Sequence, residues 1–180
     1  MKTDEQRWDV LGAPLGSVGL VAHEPVWADL FKEESARIQK GCQPYVIETE
    51  HIGSTAIPNL SAEPILDIMP GIESLDHARE VIPLMKDLGY ACHGEQGIPG
   101  RRFFSRKIEG QVVAHAHLFV VGTDAWNQHI AFRDLLLAEG NVVSSYEQCK
   151  QALAQSHQSD RKSYAAGKVE FFRSVEIETF

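Results

Sequence analysis

The chain has 180 residues, 43% hydrophobic and 23% charged, the size and make-up of one compact globular domain whose core needs no staples. Seventeen Lys plus Arg against 25 Asp plus Glu leave a formal charge of -8, which excludes broad, sequence-blind adhesion to nucleic acid or an anionic membrane, since both need a basic surface. No apolar run approaches the roughly 18 residues of a membrane-spanning helix, and the start, Met1 to Glu5, lacks the features of a signal peptide.

Cys42, Cys92 and Cys149 are odd in number and scattered, so the expectation is a cytoplasmic protein with reduced thiols that serve as small buried hydrophobes. Residues 1–17, with Gly12, Pro14 and Gly16, read as a loose N-terminal arm, and residues 18–180 as a single domain.

Pro25 suits a first helical turn, and Trp27, Leu30, Phe31 and Ile38 recur at helical spacing until Gly41. Tyr45 to Ile52 reads as a strand ending at Gly53-Ser54, and Pro64 to Met69 as a second. Ser74 caps a helix with the stripe Ala78, Val81, Ile82, Met85 and Leu88, closed by Gly89 and kinked or shortened at Pro83. After a Gly/Pro loop, Arg102 to Lys107 and Val112 to Val121 form a hairpin around Glu109-Gly110. Thr123 caps a helix running through Glu139, and Asn141 and Ser159 open two more. The fold class is therefore α/β of the α+β type, a mixed sheet with flanking helices and a helical C-terminal third.

No phosphate-cradling Gly-x-x-x-x-Gly-Lys-Ser/Thr, Gly-x-Gly-x-x-Gly, His-Glu-x-x-His or Gly-x-Ser-x-Gly occurs. P-loop kinase, dinucleotide oxidoreductase, zincin and α/β-hydrolase chemistry thus have no motif behind them.

Glu50-His51-Ile52-Gly53-Ser54-Thr55 puts polar groups where a strand meets a turn. Gly53 lets backbone N–H groups approach an anion, and Ser54 and Thr55 add hydroxyl donors; a plain helix cap gives the same pattern. Asp67, flanked by Ile65, Leu66, Ile68 and Met69, is a carboxylate in an apolar strand. It needs a cation, a charged partner or donors, and either a metal shared with a substrate phosphate or a structural ion pair would serve. His115 and His117 share one face of a strand, placed for metal ligation, phosphate contact or proton transfer, or for a structural hydrogen bond. Arg101 and Arg102 head the densest basic patch, a phosphate clamp or a charged sheet edge; Arg133 and Lys168 sit on helices among apolar neighbours.

The motifs His51-Ile-Gly-Ser-Thr-Ala-Ile-Pro58, Pro64-Ile-Leu-Asp-Ile68, Pro99-Gly-Arg-Arg-Phe-Phe104, His115-Ala-His-Leu118 and His129-Ile-Ala-Phe-Arg-Asp134, in that order, resemble the GrpB-like family. That family occurs fused to dephospho-coenzyme A kinase in some proteins and is grouped with the nucleotidyltransferase-like superfamily. The resemblance spans about residues 18–176. It implies a nucleotidyltransferase-like mixed sheet, with Gly53-Ser54 as the superfamily's Gly-Ser element and Asp67 as its first metal-binding aspartate. Two positions depart from the pattern: Met69 stands where a second carboxylate is usual, and Glu63 where a lysine is common.

The function expected is phosphoryl or nucleotidyl transfer on a nucleotide or phosphorylated metabolite. Gly53, Ser54, Thr55, Arg101 and Arg102 would hold phosphate. Asp67 and His117 would bind Mg²⁺ or Mn²⁺, Asp67, His115 and His117 would do the chemistry, and Glu50, His51, Arg133 and Lys168 would support them. A non-catalytic binding module on the same fold is the alternative. A mononuclear metal hydrolase using His51, His115, His117 and Asp67 is the third reading.

Overall fold

A computed structural model describes residues 8–13 and 18–175. Five strands form one mixed sheet: β1 (Val46–Ile52), β2 (Leu66–Ile72), β3 (Tyr90–Cys92), β4 (Arg102–Ile108) and β5 (Gln111–Val120), in the order β1-β2-β5-β4-β3. Only β2 and β5 run parallel among these neighbours, and the other three pairs are antiparallel. The helices are α1 (Val26–Gly41), α2 (Ala78–Asp87), α3 (Asp124–Ala138), α4 (Gly140–Ser156) and α5 (Arg161–Ser174). Among the described residues no helix is long and apolar enough to cross a membrane.

Most elements start and stop where local chemistry says they should. Ser74 accepts from the Asp76 N–H, Thr123 from the Trp126 N–H, and Asp160, one residue past the expected Ser159, from the Ser163 N–H. Glu109 and Gly110 both have positive φ, the conformation a two-residue hairpin turn requires. Pro83 lies inside α2, whose entry is a separate 3-10 turn at Leu75–His77. β2 continues past Met69, and after Pro70, which has no N–H to give, pairing with β5 resumes at Gly71 opposite Phe119. The three-residue β3 carries too little pattern to be read from sequence.

α1 and α2 cover one face of the sheet, where Trp27, Leu30, Ile38, Val81 and Met85 pack on Leu66, Ile68, Phe104, Ala114, Ala116 and Leu118. Within the stretch expected to be an arm, Trp8, Leu11 and Ala13 are buried, Ala13 bridges Val112, and Arg106 lies over the Trp8 ring; residues 1–7 and 14–17 lie outside the described residues. On the opposite face Trp126 of α3 packs with Ile52, Met69 and Phe119. α3 and α4 join the link after β1 through Ile57, Leu60, Leu136 and Tyr146. Of the thiols expected to be buried, Cys42 is, Cys149 is half-buried, and Cys92 is exposed because it ends the edge strand β3.

Candidate functional site

The site starts at the end of β1. Ile52 pairs with Asp67, and the chain then turns at Gly53, whose φ of 70° and ψ of -173° are essentially glycine-only. A Cβ there would lie 3.0 Å from both Cβ and Cγ of Asp67 and nearer still to Oδ2. Two independent constraints thus put a glycine against the carboxylate. The turn continues as a short 3-10 segment, Ser54–Ala56.

Parallel pairing sets Asp67 beside His115, while β4 sets Phe103 beside His117 and Ser105 beside His115, all on the face away from α1 and α2. Asp67 Oδ1 lies 3.3 Å from His117 Nε2 and 3.5 Å from His115 Nδ1. Burial pushes the Asp67 carboxyl up, but hydrogen bonding and charge from the two imidazoles outweigh it and hold the group far below the usual carboxylate range. Burial lowers the His117 pKa, and Asp67 only partly offsets it. Arg101 Nη1 reaches His117 Nδ1 at 3.3 Å. The side chains of Asp67 and His115 remain 30% and 24% exposed, so this row of groups is open to a ligand.

On the other side of the turn stands a residue that sequence reading passed over. Lys150 of α4 is 1% exposed; its Nζ donates to the Ser61 carbonyl and to Ser54 Oγ at 3.4 Å, and Glu147 lies 3.7 Å away. Burial lowers its pKa to about 8, against the attraction of Glu147. The clue was its place on the stripe of Tyr146 and Leu153, where a helix facing the protein normally carries apolar residues. Glu147 accepts from the Ser61 N–H and hydroxyl, which fixes the loop that Lys150 caps.

Several expected members lie elsewhere. Thr55 is 2% exposed, turned inward to His51 Nε2 at 3.0 Å. His51 pairs with Ile68 on the α1 face, stacks on Phe31, and is lowered by burial to about 4. The four groups of the hydrolase reading therefore do not converge. Glu50 and Arg133 pair with each other, and Arg133 also donates to the His51 carbonyl. Arg102 pairs with Leu118 on the far face and meets Glu95, whereas Arg101, in the loop before β4, joins the site. Lys168 and Arg161 both meet Glu63, which balances the carboxylate that stands where a lysine was expected.

Asp67 and His117, expected to share a metal, face each other across a hydrogen bond instead of converging on a third point. Met69, the position of the missing second carboxylate, shares that face but is fully buried against Trp126, Phe119 and Ile52. Among the described residues no group of three or more His, Cys, Asp or Glu is arranged to hold a metal ion. The donor set does not fit a two-cation centre, which needs bridging carboxylates.

The family profile described as "GrpB protein" matches residues 17–178. The chain belongs to the GrpB family. It is 35% identical over 163 residues to UPF0157 protein YqkA of Bacillus subtilis, covering 91% of this chain but only 47% of YqkA, so it spans about half of that relative. It is 33% identical over 170 residues to glutamate-rich protein GrpB of Alkalihalophilus pseudofirmus, covering 92% and 98%. A dephospho-CoA kinase of Mycobacterium leprae matches over 78 residues, 40% of this chain and 19% of the kinase, at 35% identity. The crystal structure of conserved protein GrpB from Enterococcus faecalis aligns with a TM-score of 0.75 at 27% identity, covering 87% of this chain and 98% of that one. Cid1 in complex with its short product ApU aligns at 0.50 with 12% identity, over 81% of this chain and 48% of Cid1. The chain thus shares the fold of the Enterococcus GrpB structure, and that fold is similar to the fold of Cid1, in keeping with the nucleotidyltransferase-like mixed sheet that the resemblance implied.

Proposed function

We propose that this GrpB protein binds a nucleotide or another phosphorylated small molecule over the Gly53-Ser54 turn and transfers a phosphoryl or nucleotidyl group from it. The observation that carries the reading is the position of Asp67. It stands between a turn backed by a buried ammonium and a pair of imidazoles. Ser54 and Lys150 supply donors and positive charge to phosphate oxygens in a protein whose overall charge would repel them.

His115 presents Nδ1 to Asp67, and among the described residues nothing hydrogen-bonds its Nε2 on the far side of the ring. That nitrogen takes the proton of an attacking hydroxyl as the new O–P bond forms and the bond to the leaving oxygen breaks; Asp67 stabilises the imidazolium. Mg²⁺ or Mn²⁺ would come as the counter-ion of the substrate's phosphates rather than as a resident of the protein.

A second reading, a binding module without turnover, is favoured by one feature: Met69 buried in the apolar cluster. A thermal-shift and calorimetric screen of ATP, inorganic triphosphate and sugar phosphates, with and without Mg²⁺ and Mn²⁺, followed by phosphorus NMR of the products, tests both. Binding with turnover that is lost in His115→Asn supports transfer. Binding without turnover supports the module, and no binding by any probe overturns both.

A further inference from the structure

The loop between β3 and β4 is built around one side chain. Gly94, Gln96, Gly97 and Gly100 all have positive φ, at 71°, 47°, 79° and 79°, and the loop turns the carbonyls of Glu95 and Gln96 inward onto Arg101. Arg101 Nε donates to the Glu95 carbonyl at 3.1 Å and Nη2 to the Gln96 carbonyl at 2.9 Å, while the Glu95 carboxylate accepts from the Gly100 N–H at 2.8 Å. The residue is 8% exposed and its guanidinium lies 5.1 Å from the centre of the Phe103 ring. These contacts leave Nη1 to meet His117 Nδ1 at 3.3 Å.

A guanidinium can only donate, so Nδ1 of His117 must accept. A neutral imidazole that accepts at Nδ1 carries its proton on Nε2, and Nε2 lies 3.3 Å from Asp67 Oδ1, which can only accept when ionised. The polarity of the whole chain follows: Arg101 donates to His117, and His117 donates to Asp67. An imidazolium would turn an N–H toward the guanidinium, like charge against like charge with no acceptor between them. Burial, which lowers the His117 pKa, acts in the same direction.

We infer that Arg101 is a positioning residue that fixes His117 as the neutral Nε2–H tautomer and, through it, the orientation of the Asp67 carboxylate. Oδ1 is then taken up by the imidazoles while Oδ2 stays against the Gly53 turn, where the substrate is expected. Arg101 is accordingly not the phosphate clamp that its charge suggests, and the glycine-rich loop exists to hold it. The catalytic consequence rests on the transfer reading above; the tautomer does not.

Long-range proton–nitrogen correlation spectra of the histidine rings in nitrogen-15-labelled protein at neutral pH test the inference directly. The wild type is expected to show His117 as a single Nε2–H tautomer. Arg101→Met, with the fold confirmed by amide dispersion, should convert it to a mixture or to the Nδ1–H form. Asp67→Asn, which keeps an acceptor oxygen, should retain Nε2–H because Arg101 is still present. A wild-type ring that is Nδ1–H or doubly protonated, or a tautomer lost in Asp67→Asn, overturns the inference, as does an unchanged ring in folded Arg101→Met. If Arg101→Met does not fold, the other two spectra decide. None of these spectra needs a ligand, so a cleft that binds no phosphate would sink the transfer reading and leave this one standing.

Discussion

Gly53 and Asp67 are locked together: the turn brings the position 53 backbone so close to the carboxylate that a methyl group would lie 3.0 Å from Asp67 Cβ and Cγ. Gly53→Ala should therefore lower stability by about 1 to 3 kcal/mol from backbone strain alone, with the contact adding to it. In an Asp67→Ala background the contact is relieved but the strain persists. Urea denaturation of the four proteins in this cycle checks the split, and a cost that vanishes entirely without Asp67 would show that the backbone is not strained.

Met69 decides between a repaired metal platform and a broken core. Restoring a carboxylate with Met69→Asp would bury a charge among Ile52, Phe119 and Trp126 and should destabilise the fold by several kcal/mol, whereas Met69→Leu should cost less than about 1.5 kcal/mol. Thermal unfolding of both variants measures this. A Met69→Asp protein as stable as wild type, further stabilised by Mg²⁺, would mean that the cluster opens readily enough to admit an ion.

Lys150 makes stability depend on pH in a stated direction. Its folded pKa of about 8 lies below the ordinary 10.5, so between those values the unfolded chain binds more protons and stability rises with pH. The penalty is complete below the folded value and gone above the unfolded one. Lys150→Met should erase this trend, so the stability difference between wild type and variant should change by roughly 3 kcal/mol across the window. Denaturation at pH values below, inside and above it provides the test; a constant difference would show that the ammonium is buried without penalty.

The two faces of the sheet separate the roles of Ser54 and Arg102. With ATP or inorganic triphosphate as the probe, Ser54→Ala should weaken binding by about 1.5 to 3 kcal/mol, the range for a hydrogen bond to a charged group. Arg102→Ala, on the opposite face, should leave affinity within about 0.5 kcal/mol of wild type. Calorimetry on both variants discriminates, and the reverse order of effects would relocate the phosphate to the basic strand.

Much of this was present in the sequence, because the signals are local. The helical spacing of Trp27, Leu30 and Ile38, the Glu109-Gly110 turn and the caps at Ser74 and Thr123 specify their elements with nearest neighbours alone. The alternation of His115 and His117 put both rings on one face, and a carboxylate inside the apolar run of β2 announced that it had partners. What a period of two cannot say is which face of a sheet stays open, or what arrives from far along the chain. Only packing brought Lys150 to Ser54, 96 residues away, and buried Met69 beneath Trp126. Packing also turned Thr55 and His51 inward toward α1. Arg101 and Arg102 are adjacent and chemically identical, yet the first lies in a loop that wraps it toward the cleft and the second begins a strand that points it away. Their different fates come from backbone direction and long-range contact, which residue type does not encode.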